Sequence, residues 1–115
     1  MVGRISCPER GDIVWLDFSP IRGHEQGGKR PALVISDSSY NTKTSLCIST
    51  PVTSKVKGYA FEVALPPASK TQGVILSDQV RNLDWRARRA TFIEKAPPEI
   101  VARVVESIVI LAQDS

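Results

Sequence analysis

A chain of 115 residues has room for one hydrophobic core of ordinary size, so the span 1–115 is expected to fold as a single domain. Its 42% apolar and 23% charged residues exclude a disordered composition, and no run approaches the ~20 apolar residues that cross a bilayer. Lys and Arg total 15 against 12 Asp and Glu, a formal charge of +3 that suits a polyanionic or acidic partner without naming one.

The first predicted element opens after Gly11-Asp12 and alternates through Ile13, Trp15, Leu16 and Phe18 to a stop at Ser19-Pro20, the pattern of a strand and a turn. Gly23-His24-Glu25-Gln26-Gly27-Gly28-Lys29 follows, with three glycines and no apolar side chain. Such a segment cannot bury itself and is expected to be a surface loop, the kind of element on which chemistry is often mounted.

Residues 32–35 read as a buried strand, and 36–41 are rich in capping residues that suit one helical turn. Third and fourth strands are expected over 46–52 and 61–65, the latter stopped by Pro66-Pro67. Residues 73–76 with the segment near Val80 are expected to give one further strand, and 88–93 a last one with ragged alternation. Regular short strands point to a sandwich or barrel. From Pro97-Pro98-Glu99 the period changes: Val101, Val104, Val105, Ile108, Leu111 and Ala112 recur at helical spacing. Packing of this terminal helix on the sheet is the expected use of its apolar face, with a share in a subunit interface as the other.

Cys7 and Cys47 lie far apart and form no Cys-x-x-Cys pair, which fits a reducing cytoplasm rather than a disulfide scaffold. The opening Met1-Val2-Gly3-Arg4-Ile5-Ser6 lacks the long apolar stretch of an export signal, so a cytoplasmic location is expected. One histidine and two isolated cysteines leave no His/Cys zinc set, although carboxylates can hold Mg²⁺ weakly. Any hydrolytic chemistry is expected to need neither metal nor cofactor.

The glycine-rich loop and its flank hold the groups that RNA cleavage requires when the 2′-hydroxyl of the substrate is the nucleophile. His24 and Glu25 are proton acceptors, and Lys29 and Arg30 are cations. Arg30 presents a planar fork of donors suited to a phosphate and to the extra charge of its pentacovalent state. Glu25 can accept the 2′-hydroxyl proton, and His24 can act as base or acid; the residues alone do not divide these two roles. Each also has an ordinary reading as a solvated loop or strand-end side chain.

Gly11-Asp12-Ile13-Val14-Trp15-Leu16-Asp17-Phe18, then Gly23-His24-Glu25-Gln26, then Lys29-Arg30-Pro31-Ala32-Leu33-Val34 resemble the MazF/PemK toxins in order and spacing. Tyr40-Asn41, Thr50-Pro51-Val52-Thr53-Ser54, Lys57-Gly58-Tyr59, Phe61-Glu62-Val63, Ser77-Asp78-Gln79-Val80-Arg81 and Asp84-Trp85-Arg86-Ala87-Arg88 continue the resemblance over nearly the whole chain. It implies an SH3-like barrel with short helices and a C-terminal helix. It also implies a homodimer, a sequence-specific cut in single-stranded mRNA, and a MazE-like antitoxin whose acidic tail occupies the toxin surface.

In the MazF branch an Arg at a strand start and a Thr after the Pro of the third strand act at the scissile phosphate, and Arg30 and Thr53 match them. Glu25 matches the family's loop Glu, and Asp78-Gln79 match a pair that contacts substrate or catalytic groups in some members. The PemK branch has an Arg two residues before that Asp. Leu76 stands there in this chain, which favours the MazF assignment.

Base recognition is expected from the loop, including Gln26 and Lys29, and from Asp78 and Gln79. Stacking is expected on Trp15, Phe18 or Tyr59, whichever faces the groove; Trp15 and Phe18 lie on alternating faces of one strand, so at most one of that pair stacks. The rival readings are a toxin of the same fold that binds DNA gyrase without cutting, and a catalytically inert binding module. The first is disfavoured because gyrase-poisoning relatives carry an aromatic near the C-terminus, where this chain has Leu111-Ala112-Gln113-Asp114-Ser115. The second is disfavoured by the presence of Arg30, Thr53 and Glu25.

Overall fold

In the computed structural model, which describes residues 6–20, 23–24 and 27–113, the alternating run after Gly11 forms β1 (Asp12–Asp17). It pairs antiparallel with β2 (Lys29–Val34) on one side and with β7 (Thr91–Lys95) on the other. Because successive side chains of a strand point to opposite faces, the apolar residues of β1 divide between two cores. Ile13 and its cross-strand partner Leu33 pack with Val52, Val63, Ile75 and Ala96. Val14, Leu16 and Phe18 point the other way and pack with Ala32, Val34, Cys47, Leu83, Trp85 and Ala90.

The longest strand, β3 (Leu46–Thr53), joins these cores. One edge pairs with β2; the other pairs with β6 (Arg81–Asp84) along residues 46–49 and with β5 (Val74–Leu76) at 52–53. The short β4 (Glu62–Ala64) extends β5. The sheet order is β4-β5-β3-β2-β1-β7 with β6 on β3, and a helix, α2 (Pro98–Ala112), ends the described chain. The expected class, mainly β with a C-terminal helix, is the one found. The outer strands β4 and β7 do not pair with each other among the described residues, so the barrel is open. Among those residues no helix is long and apolar enough to cross a membrane.

Local differences from the sequence reading have physical causes. The expected single turn is a seven-residue helix, α1 (Ser38–Thr44), started by the Asp37 side chain accepting the Ser39 N–H and anchored by the buried Asn41. The single strand expected across 73–80 is two strands, β5 and β6, because a turn closed by Gln79 N–H to Leu76 O (3.1 Å) sends them to different halves of β3. The last strand begins at Thr91 rather than 88; the preceding segment is a turn with Arg89 at φ 53°, where helical and extended patterns both fail. On α2, Ile100, Val101, Val104 and Ile108 face the core. Val105 and Leu111, expected on the same face, are exposed, the one turned ~100° from Val104 and the other beyond the last core contact.

Among the described residues three carboxyl groups, Asp17, Asp37 and Glu94, titrate below their ordinary range. Hydrogen bonds from the Ser19 N–H lower Asp17, and the Ser39 hydroxyl and N–H lower Asp37. At Glu94 burial pushes upward, but bonds from Thr71 and the Lys70 N–H outweigh it. A carboxyl whose folded pKa is depressed stabilises the fold above its unfolded value and loses that contribution as pH falls through the folded one. The thermal midpoint is therefore expected to hold between about pH 7 and 5 and to fall below about pH 4, where such groups protonate. Glu94→Gln should flatten the acid limb of a melting series; an unchanged limb would remove Glu94 from this account.

Candidate active site

The β2–β3 register sets Ala32 opposite Pro51; continued by two residues beyond its last pair, it would set Arg30 opposite Thr53. Arg30 donates from Nε to the Gly27 carbonyl at 2.9 Å, and its Nη1 lies 3.5 Å from the carbonyl of Val52, the residue before Thr53. The second contact is at the outer limit of a hydrogen bond, so most of the guanidinium fork can turn to a ligand. Thr53 ends β3 with its side chain buried, and its hydroxyl oxygen accepts the Lys55 N–H at 3.1 Å. A hydroxyl that is accepting on one lone pair still has its proton to donate.

Glycine sets the other side of this corner. Gly73, at φ +117°, lies so close to β3 that an added Cβ would sit 2.2 Å from the Thr53 carbonyl oxygen. No side chain can be placed there without moving residues 53–54.

A cavity of about 480 Å³ opens at the Thr53 end of β3, a size suited to a small ligand or a nucleobase. His24 lines it from the glycine-rich loop, Asp78 and Gln79 from the turn after β5, and Lys55, Lys57 and Tyr59 from the segment that leaves β3. Phe61 and Tyr59 stack with ring centroids 5.2 Å apart and 14° between planes. The Glu62 carboxylate accepts the N–H groups of Lys57 (3.2 and 3.3 Å) and Gly58 (3.0 Å), which fixes the segment that carries these side chains. Desolvation first, and then the Glu62 charge, push Asp78 above the usual carboxylate range.

His24, Thr53, Asp78 and Gln79 thus share one cavity; Arg30 does not line it, and its tie to that corner is the 3.5 Å contact with the carbonyl of Val52, the residue before Thr53. Lys29 pairs opposite Asp17, next to Arg30 in sequence and so on the other face of β2. Trp15 is 40% exposed and lies opposite Pro31, away from the cavity lining. Phe18 corrects the expectation of a stacking platform. It is wholly buried, because positions 14, 16 and 18 share the core-facing side of β1, and the Arg81 guanidinium covers its ring at 5.8 Å. Glu25 and Gln26 lie outside the described residues. The sequence reading gave no role to Lys55, Lys57, Phe61 or Glu62. The signal was there: at alternate positions 55, 57, 59 and 61 two cations are followed by two aromatics, a spacing that suits a strand of nucleic acid.

An open antiparallel sheet whose connecting segments enclose cations, carboxylates and a stacked aromatic pair defines a small β domain built around a polar binding cleft. A family model described as "PemK-like, MazF-like toxin of type II toxin-antitoxin system" matches residues 9–112, and the chain belongs to that family. It is 44% identical over 111 residues to the endoribonuclease toxin MazF of Escherichia coli (strain K12), covering 96% of this chain and 98% of that one. MazF of Deinococcus radiodurans, a crystal structure, superposes with a TM-score of 0.90 at 48% identity over 93% of this chain and 97% of that one. A chain of the MazE-MazF complex from the same organism gives 0.84 at 48% identity, over 93% and 96% of the two chains.

Proposed function

We propose how this endoribonuclease toxin works: it cuts single-stranded mRNA at a defined word, without a metal ion, by attack of the 2′-hydroxyl on the adjacent phosphorus. The observation that carries the reading is the approach of the Arg30 guanidinium to the Val52 carbonyl, one residue from the Thr53 hydroxyl. Arg30 binds a non-bridging oxygen with its fork, and Thr53 donates its proton to the same phosphate, so both stabilise charge that peaks in the pentacovalent state. Glu25 or His24 removes the 2′-hydroxyl proton, and the other group protonates the departing 5′-oxygen. The new 2′-O–P bond and the broken P–O5′ bond leave a 2′,3′-cyclic phosphate and a 5′-hydroxyl. A base enters the cavity, stacks on Tyr59 and Phe61, and offers its edge to Asp78 and Gln79.

The nucleophile is part of the substrate, which is the chief support for a metal-free route. Purified protein is expected to cut RNA in excess EDTA to cyclic-phosphate and 5′-hydroxyl ends and to leave a DNA copy intact; loss of cutting in EDTA would reject that route. Gly73→Ala tests the placement of Thr53. It should slow cleavage by about 100-fold, the order expected when a reacting group shifts by ~1 Å, and a wild-type rate would show that the corner tolerates movement. The protein works in the cytoplasm as a homodimer, and a MazE-like antitoxin inhibits it by laying an acidic tail over the cleft. The MazE-MazF complex of the similar Deinococcus radiodurans protein supports the partner. Competition between RNA and an acidic peptide checks the mode of inhibition.

A further inference from the structure

Two arginines far along the chain grip the root of the loop that precedes Arg30. Arg81, at the start of β6, donates from Nη1 to the Phe18 carbonyl at 2.8 Å. Arg88, in the turn before β7, donates from Nη1 to the carbonyls of Asp17 (2.6 Å) and Ser19 (2.7 Å). Three consecutive carbonyls thus receive guanidinium hydrogens, and bonds from a charged donor are about twice as strong as neutral ones.

The gripped segment connects directly to the proposed phosphate-binding corner. Leu16 pairs with Arg30 and Asp17 with Lys29 across β1 and β2. The Phe18 N–H donates to Gly28 O at 2.9 Å, and Gly27 O holds Arg30 Nε. On its other side Arg81 belongs to β6, paired with β3 through Ser49, the strand that ends in Thr53. The two proposed phosphate ligands come from different strands, and the arginine contacts tie the neighbour of one to the strand of the other.

We propose that Arg81 and Arg88 are positioning residues that hold the end of β1 against β2 and β3, so that Arg30 meets the phosphate in register with Thr53. This rests on the role given to Arg30 above. Neither arginine lines the cavity, and each spends a guanidinium nitrogen on backbone.

The test uses the full chain with Arg88→Met and Arg81→Met, their Lys counterparts, and Arg30→Ala alone and combined with Arg88→Met. Cleavage of a short RNA is followed over a series of salt concentrations, each variant held well below its melting temperature. The expected result is a kcat lower by about 10- to 100-fold with KM within about twofold, partial recovery in Arg88→Lys, and an unchanged dependence of KM on salt. In the Arg30→Ala background Arg88→Met should cost little more, since both changes remove the same interaction.

A raised KM whose salt slope falls by about one per arginine would overturn the proposal, marking direct phosphate contacts instead. So would an Arg88→Met loss that is undiminished when Arg30 is absent. Arg30→Ala at full activity would sink the site reading itself, whereas a normal kcat in Arg88→Met beside an inactive Arg30→Ala would sink only the positioning role.

Discussion

Arg30→Ala is expected to cleave RNA about 100- to 1,000-fold more slowly than the unsubstituted chain, the loss typical of removing one preorganised donor from an oxyanion site. Two of the side chain's bonds are structural, to Gly27 O and, weakly, to Val52 O. The fold should survive their removal because Arg30 is only half buried and lies in neither core. Lysine at this position keeps the charge but not the planar fork, so Arg30→Lys should recover only part of the rate. Single-turnover rates at saturating enzyme separate this loss from weaker binding. A rate within about threefold of normal, in a variant with an unchanged melting curve, would place the phosphate elsewhere; that margin is under 1 kcal/mol of barrier.

The largest loss of stability is expected at Asn41. Its side chain is wholly buried and fully partnered: Oδ1 accepts the Ser36 hydroxyl at 2.6 Å, and Nδ2 donates to the carbonyls of Pro8 (2.9 Å) and Ser36 (3.1 Å). Its own carbonyl takes the Trp85 indole N–H at 2.8 Å, while Ser36 Oγ accepts the Ile48 N–H. One residue therefore ties the N-terminal segment, α1, β3 and the turn after β6 together. Alanine would leave the Ser36 carbonyl and the Ser36 hydroxyl hydrogen without partners, and the Pro8 carbonyl with only the weak Cys7 Sγ contact. At about 1–3 kcal/mol for each stranded group, less what relaxation recovers, Asn41→Ala should cost about 4 kcal/mol, or roughly 15 °C in Tm for a domain of this size. Asn41→Asp should be worse at neutral pH, since it loses two donors and buries a charge. Denaturant melts of both variants check this, and a loss below about 1 kcal/mol would mean that water fills the network.

The sequence was most legible where one physical requirement dominates. A strand over β1 and a terminal helix over α2 are both present, with Val101, Val104 and Ile108 of the expected helix face on the core, and the site residue types at 30 and 53 fall on adjacent strands. Alternation placed Trp15 and Phe18 on opposite faces but did not say which face meets the core; the structure buries Phe18 and leaves Trp15 exposed. The β5–β6 break was hidden because both strands pair with β3, and only the turn between them separates their apolar residues. The cavity wall over 55–61 has no regular pairing to read until β4 begins, and the Glu62 bonds that order it reach back four and five residues. The sequence reading gave the arginines at 81 and 88 no role of their own, because their partners are carbonyls at the end of β1, more than sixty residues earlier.

The Lys55 amide occupies one lone pair of the Thr53 hydroxyl, and with it chooses where the hydroxyl hydrogen can swing. The threonine is a rotor already stopped before any nucleotide arrives, its branched Cβ restricting the torsion further. Binding has little orientational freedom left to quench at that oxygen. A serine there would present the same chemistry on a looser hinge, and Thr53→Ser would make the cut slower even though every atom needed for it is still present.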